Sequence, residues 1–482
     1  MSSLASSLRA GSLTISSAAG KGIDCKDDLV IASGTYQIES ASHGAEANDG
    51  LCIKEASLQI ASGKDGLHAE NSDDASLGYV YVESGPLDIE SRGDGVSASS
   101  WMDIADGSLS ITSGQGASAA TAKANEQAGA PAGMPGSDRF DGDMPRGGMP
   151  AGEPGALPTQ ERDDSGSTPP GGPGQDATPP SGTTPPAAPE GGIGAPQDMT
   201  PPTTAPSGET APATSGATDA SIASDEESAS TKGLKARGAL TVRGGTLSID
   251  AADDALHSHS DLTVSGGELA LASGDDGVHA DGTLTVSGGT TTISTCYEGL
   301  EGAHVEVTGG TIDLTATDDG LNASDSAGSQ PADSNASAAS SECSISISGG
   351  VLSITASGDA IDSNGSLEIT GGTITCEGPI QGDTSVLDFD TIGTITGGTF
   401  MGTGAAKMVQ TLISTTQGVL TVSTGFQQAG SELTVKDSSG NEVCRLSPEQ
   451  PFELLIMSSS DIQPGVTYEV EVGGQTLTAQ AS

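Results

Sequence analysis

Six short turns in the second half of this 482-residue sequence gather side chains that could do chemistry. They read DDALHS (Asp253 to Ser258), DDGVHA (Asp275 to Ala280), YEGLEG (Tyr297 to Gly302), DDGLNA (Asp318 to Ala323), GDAIDS (Gly358 to Ser363) and GPIQGD (Gly378 to Asp383). If the chain between turns closes one coil each time, equivalent positions stack into columns. One column is then Asp254, Asp276, Glu298, Asp319 and Asp359; three residues on lies a second, His257, His279, Glu301, Asn322 and Asp362. Carboxylates about 5 Å apart in successive coils repel each other unless something neutralises them. A hard cation is the natural remedy, because calcium accepts about six to eight oxygens from carboxylates, Asn side chains and backbone carbonyls. The expected metal ligands are these column carboxylates and Asn322, with Asp253, Asp275 and Asp318 beside them. Asp-Gly pairs are also ordinary turn formers. The second acidic column, and Glu-Gly in place of Asp-Gly at Glu298, favour the cation. Histidine nitrogen suits calcium poorly, so His257 and His279 are read as sugar-contacting or hydrogen-bonding groups; Lys232, Lys235 and Tyr297 join them as candidate carbohydrate contacts.

Stacking requires a repeat, and the sequence has one. A Gly-Gly pair follows a short alternating strand at Gly244-Gly245, Gly266-Gly267, Gly288-Gly289, Gly309-Gly310, Gly349-Gly350, Gly371-Gly372 and Gly397-Gly398, at intervals of 22, 22, 21, 40, 22 and 26 residues. A fixed period in this range marks a solenoid. Within one period, LTVSGGELALASGDDGVHADG, apolar residues alternate at Leu262 and Val264 and again at Leu269 and Leu271. Such runs are strands of period two separated by Gly and Asp turns. The expected fold is all-β: a right-handed parallel β-helix with coils of about 22 residues, strands about 4.8 Å apart, and a C-terminal β cap. A weaker version of the pattern begins at Gly11 and recurs at Gly34, Ala56, Gly85 and Gly107, at intervals of 23, 22, 29 and 22.

Four regions follow from this reading. Residues 1–116 form N-terminal coils, 117–230 an insertion, 231–401 the main β-helix with the acidic columns, and 402–482 a cap that keeps the last coil from exposing a sheet edge. The insertion holds 19 of the 25 prolines and is expected to be disordered, because so little apolar surface cannot offset its ordering entropy. Its flanks, SGQGASA and STKGLKA, both match a coil turn, so the coils on either side should belong to one continuous helix. A smaller insertion from Ser324 accounts for the 40-residue interval.

Composition narrows the functions available. The 65 acidic residues against 17 basic ones give a net charge of -48, which makes nucleic acid a poor partner, since phosphate binding needs clustered Lys and Arg. Aromatic residues make up only 2%, so the core must be small and aliphatic, each coil packing on its neighbours. The six cysteines show no C-x-x-C spacing, against zinc or iron–sulfur clusters; they are read as buried small hydrophobes, with one disulfide left open. No run of about 20 apolar residues could span a membrane, and Met1 to Ala10 lacks an export-signal core.

The strings GDDGVHADGTLTVSGGT, CYEGLEGAHVEVTGGTI, TDDGLNASD, STKGLKARGALTVRGGT and DDALHSHSDLTVSGG resemble a family of bacterial carbohydrate-binding proteins with a pectate-lyase-like parallel β-helix that bind calcium, polygalacturonate and cellulose. The resemblance is strongest from Thr231 to Gly398. It implies an extracellular or cell-surface protein that binds carbohydrate with calcium at the Asp and Glu of those turns. The sequence departs from the pattern where Ala255 and Ala360 replace the turn glycine, and where Lys21, His43 and Lys232 stand in the acidic column. With so few aromatic residues, the expected ligand is a soluble acidic polysaccharide such as polygalacturonate, bound by a monomer through Ca2+. Two alternatives are a uronate lyase, for which Lys232, Lys235 and Arg237 are the candidate bases unless they serve to screen the acidic ladder, and a surface adhesin that calcium stiffens.

Overall fold

The computed structural model describes residues 6–9, 11–120, 230–324, 343–382 and 384–482. Almost all of the 117–230 segment, and the smaller insertion beyond Ser324, lie outside the described residues. The described chain is nearly all β, and its one helical element is a 3-10 turn at Ala117–Ala119. Parallel strands stack about 22 residues apart into a β-solenoid of about twelve turns.

Each coil contributes up to three strands, so the solenoid has three faces. In the coil that begins at Leu256 these are Leu256–Ser258 on the first face, Leu262–Val264 on the second and Glu268–Ser273 on the third. The Gly-Gly pair turns the chain from the second face to the third. Both glycines are demanded there, for different reasons. Gly267 has φ +97°, a conformation that costs a residue with a Cβ about 1–2 kcal/mol. A Cβ on Gly266 would run into the carbonyl oxygen of Arg243 in the preceding coil.

Register on the first face is continuous from coil to coil. Leu234, Leu256, Val278, Leu300, Leu321, Ile361 and Leu387 pair in sequence and point inward, each with 1% exposure or less. The coils on either side of the long insertion are consecutive, with Val96 pairing Leu234 and Leu109 pairing Leu247. The principal core is almost wholly aliphatic, as the low aromatic content requires. None of the six cysteines is in a disulfide: Cys25, Cys296, Cys343 and Cys376 are buried thiols, and Cys52 and Cys444 are partly covered.

The last solenoid strand, Thr399–Gly404, is covered by antiparallel pairing with Phe452–Ser458, which also pairs Val419–Gln427. A separate four-stranded antiparallel sheet, Leu433–Lys436, Glu442–Leu446, Thr467–Val472 and Gln475–Gln480, completes the cap. Phe452 and Tyr468 centre a second small core. Pairing the final edge in this way removes the unpaired N–H and C=O groups that a solenoid end would otherwise present.

Candidate functional site

The columns form where the first face meets the turn before it. Because every side chain on a strand alternates in and out, an inward Leu256 puts His257 outward, and parallel register then lines up Lys235, His257, His279, Glu301, Asn322, Asp362 and Asp388. The same column extends to the N-terminal coils as Asp24, Glu46, His68 and Ser97.

In the other column the carboxylates have a structural duty. Asp65 Oδ1 accepts the backbone N–H of Asp94 at 2.9 Å, and Asp254 Oδ1 that of Asp276 at 3.1 Å. Asp319 Oδ1 accepts the N–H of Asp359 at 2.6 Å, and Asp359 in turn accepts that of Ser385. One oxygen of each carboxylate therefore staples its turn to the next coil. The second oxygen meets the residue three positions on: Asp65 Oδ2 with His68 Nδ1 at 2.7 Å, Asp254 Oδ2 with His257 Nδ1 at 2.7 Å, and Asp276 Oδ2 with His279 Nδ1 at 3.1 Å.

Charge compensation divides the columns. In the coils up to Asp254 the carboxylates have cations: Lys232 Nζ lies 2.8 Å from Asp253 and 2.7 Å from Asp254, and Lys235 Nζ lies 3.7 Å from Asp94. Burial works against the Lys232 charge, but the two carboxylates outweigh it and hold this lysine above its ordinary value. His257 and Lys232 likewise keep Asp254 below the usual carboxylate range despite its burial. His279 is partly buried, which works against its charge, yet Asp276 and Glu301 push it up to about 11. Its imidazolium holds Glu301 down at about 2 against the effect of burial.

Among the described residues Glu298, Asp319 and Asp362 have no Lys or Arg partner. From Arg243 to Lys407 the sequence contains no Lys or Arg between them. Burial, then the charges of Glu301 and Asp276, raise Glu298 to about 10. Burial followed by Asp362, Asp359 and Asp318 raises Asp319 to about 8, and burial followed by Asp359, Asp388 and Asp390 raises Asp362 to about 7. Amid these groups Asn322 donates its Nδ2–H to Glu298 Oε2 at 2.8 Å, while its buried Oδ1 meets no donor. An orphaned carbonyl oxygen among crowded carboxylates is a donor set of oxygens alone, which fits a hard cation.

The basic residues gather elsewhere on the same face. A cleft of about 530 Å³ over the N-terminal coils is lined by Lys64, Arg92, Lys235 and Arg237, together with the carboxylates of Asp65, Glu70 and Asp94 and the imidazoles of His43, His68 and His259. Sequence reasoning missed it, because the four cations are scattered over 174 positions and meet only when the coils across the insertion stack.

Several expected site residues move. Tyr297 is buried, with 8% exposure, so its ring is not offered to a sugar. Lys232 is tied to two carboxylates rather than free to contact a ligand. The turn after Asp362 is not GPIQGD: Asp388 takes the register position, and Ser385 stands in the first column. The 26-residue interval was the signal, since four extra residues displace the turn. Asp253, Asp254, Asp275, Asp276, Glu298, Glu301, Asp318, Asp319, Asn322, Asp359 and Asp362 all lie along the stacked turns, but Lys232 already pairs with Asp253 and Asp254, and His257 and His279 meet Asp254 and Asp276.

The fold and site are those of a parallel β-solenoid with a polar cleft and stacked ionisable columns on one long face. Residues 9–141, 181–277 and 278–384, well over half of the chain, match the family described as carbohydrate-binding domain-containing protein. The chain belongs to that family, and its role is carbohydrate binding. No curated protein and no solved structure matches it.

Proposed function

We propose that the protein is an extracellular, calcium-dependent binder of acidic polysaccharide, with polygalacturonate as the type ligand. The observation that supports this most is the contrast along one face. A cleft bearing Lys64, Arg92, Lys235 and Arg237 is followed, a few coils on, by Glu298, Asp319, Asn322, Asp362 and Asp388, none of which pairs with a Lys or Arg among the described residues. Uronate carboxylates suit the guanidinium and ammonium groups of the cleft directly. Over the acidic coils the same polymer needs a bridging cation, and Glu298, Glu301, Asp319, Asn322, Asp359 and Asp362 offer the oxygens that calcium prefers. Bound there, calcium would lower the repulsion between coils and supply positive charge toward the ligand.

The lyase alternative is the weaker reading. A base must give up its proton to work, and the ion pairs of Lys232 with Asp253 and Asp254 oppose this. The decisive experiment is calorimetric titration of polygalacturonate into the full chain, first with calcium and then with chelator. Binding that needs calcium supports the proposal; binding that is equal in chelator removes the calcium bridge from it, and no binding in either condition refutes the ligand.

A further inference from the structure

Four side chains in two successive coils form a block with different chemistry from the acidic ladder. His257 and His259 belong to one coil, and His279 and Asp281 occupy the equivalent positions 22 residues later. His257 Nε2 lies 3.3 Å from His259 Nδ1, and His259 Nδ1 lies 3.1 Å from Asp281 Oδ2. The three atoms all fall within 4.8 Å of one another. His279 Nε2 holds the other Asp281 oxygen, Oδ1, at 3.1 Å.

We propose that His257 Nε2, His259 Nδ1 and Asp281 Oδ2 bind a divalent first-row transition metal of the zinc class. Two imidazole nitrogens and one carboxylate on one side of an ion are the donors that such metals favour and calcium does not. The supporting groups are also in place. His257 Nδ1–H donates to Asp254 Oδ2 at 2.7 Å, which fixes the tautomer that leaves the Nε2 lone pair aimed at the site. Carboxylates orient metal-bound histidines in the same way in zinc proteins generally. His257 is additionally held by stacking on His279, with centroids 4.8 Å apart and planes 19° from parallel. His259 and Asp281, in contrast, are accessible, and His259 also lines the basic cleft. Three protein ligands leave at least one position open, and with His259 at the cleft wall a sugar hydroxyl or carboxylate could take it.

This site is independent of the proposed calcium ladder, and its test is separate. The full chain, stripped with chelator, is titrated with Zn2+ against a chromophoric competitor, and with Co2+ while its visible absorption is followed. One tight site is expected, with cobalt bands of a nitrogen-ligated ion, and it should persist in excess calcium. His259→Ala and Asp281→Asn should each weaken it by at least about 10-fold. Both residues are at the surface, so melting curves in chelator should match the parent and exclude misfolding. Glu298→Gln should leave zinc affinity intact. Unchanged zinc affinity in both site variants, displacement by calcium, or loss of the site only in His68→Ala would each overturn the proposal, the last by moving the ion to the His43, Asp65 and His68 group.

Discussion

Removing one carboxyl from the uncompensated ladder should stabilise the protein when divalent cations are absent. Asp319 is the group of choice, because it is buried and its folded value rises to about 8, against about 3.9 in an unfolded chain. Between those values the folded state keeps a proton that the unfolded state releases. Its contribution to stability is therefore greatest below about pH 4 and is lost as pH climbs toward 8, at about 1.4 kcal/mol per pH unit. From pH 5 to pH 7 the Asp319 carboxyl alone should cost roughly 3 kcal/mol, a large share of the 5–15 kcal/mol typical of a folded domain. Asp319→Asn keeps an oxygen to accept the Asp359 N–H and cannot ionise. In chelator its melting temperature should vary less with pH than the parent's and exceed it at pH 8. Added calcium should raise the parent's melting temperature more than the variant's. Thermal melts by circular dichroism at pH 5, 6, 7 and 8, with and without calcium, read all three. A parent whose melting temperature in chelator is flat over this range, or a variant that melts lower at pH 8, would refute the reasoning.

Other perturbations probe the rest of the face. Lys232→Met leaves Asp253 and the buried Asp254 without their ammonium, and should destabilise by about 3–5 kcal/mol, measured by denaturant melts at pH 7. Gly267→Ala forces a Cβ into the φ +97° turn, 3.0 Å from the carbonyl oxygen of Gly245, and should cost at least about 1–2 kcal/mol; the same melts measure it. Replacing residues 121–229 with a short Gly-Ser linker should leave the melting curve within a few degrees of the parent. The pairings of Val96 with Leu234 and of Leu109 with Leu247 join the flanking coils directly. Arg237→Ala with Lys235→Ala should weaken polygalacturonate binding at low salt more than at high salt, read by calorimetry.

Much of this molecule is legible in one dimension because a solenoid is nearly one-dimensional: each coil contacts only its neighbours. The Gly-Gly period set the coil length, and the coil length set which residues stack. The column from Lys235 through His257, His279, Glu301 and Asn322 to Asp362 could thus be written down by adding one coil at a time, 22, 22, 22, 21 and then 40 residues. The 26-residue interval broke that arithmetic, and the stack chose Asp388 over GPIQGD, since only pairing shows where extra residues bulge. His259 and Asp281 were equally readable, standing 22 apart, but their convergence with the Nε2 of His257 depends on side-chain direction. What the tertiary structure alone decided is which charges have partners. The sequence shows the acidic ladder; in the structure Lys232 folds onto Asp253 and Asp254, histidines meet Asp254 and Asp276, and Glu298, Asp319 and Asp362 have no Lys or Arg partner among the described residues. Tyr297 turns inward, and four distant cations meet in one cleft. Period determines register because backbone pairing repeats with every coil, whereas neutralisation depends on distances of a few ångströms between flexible side chains, and those exist only once the coils are stacked.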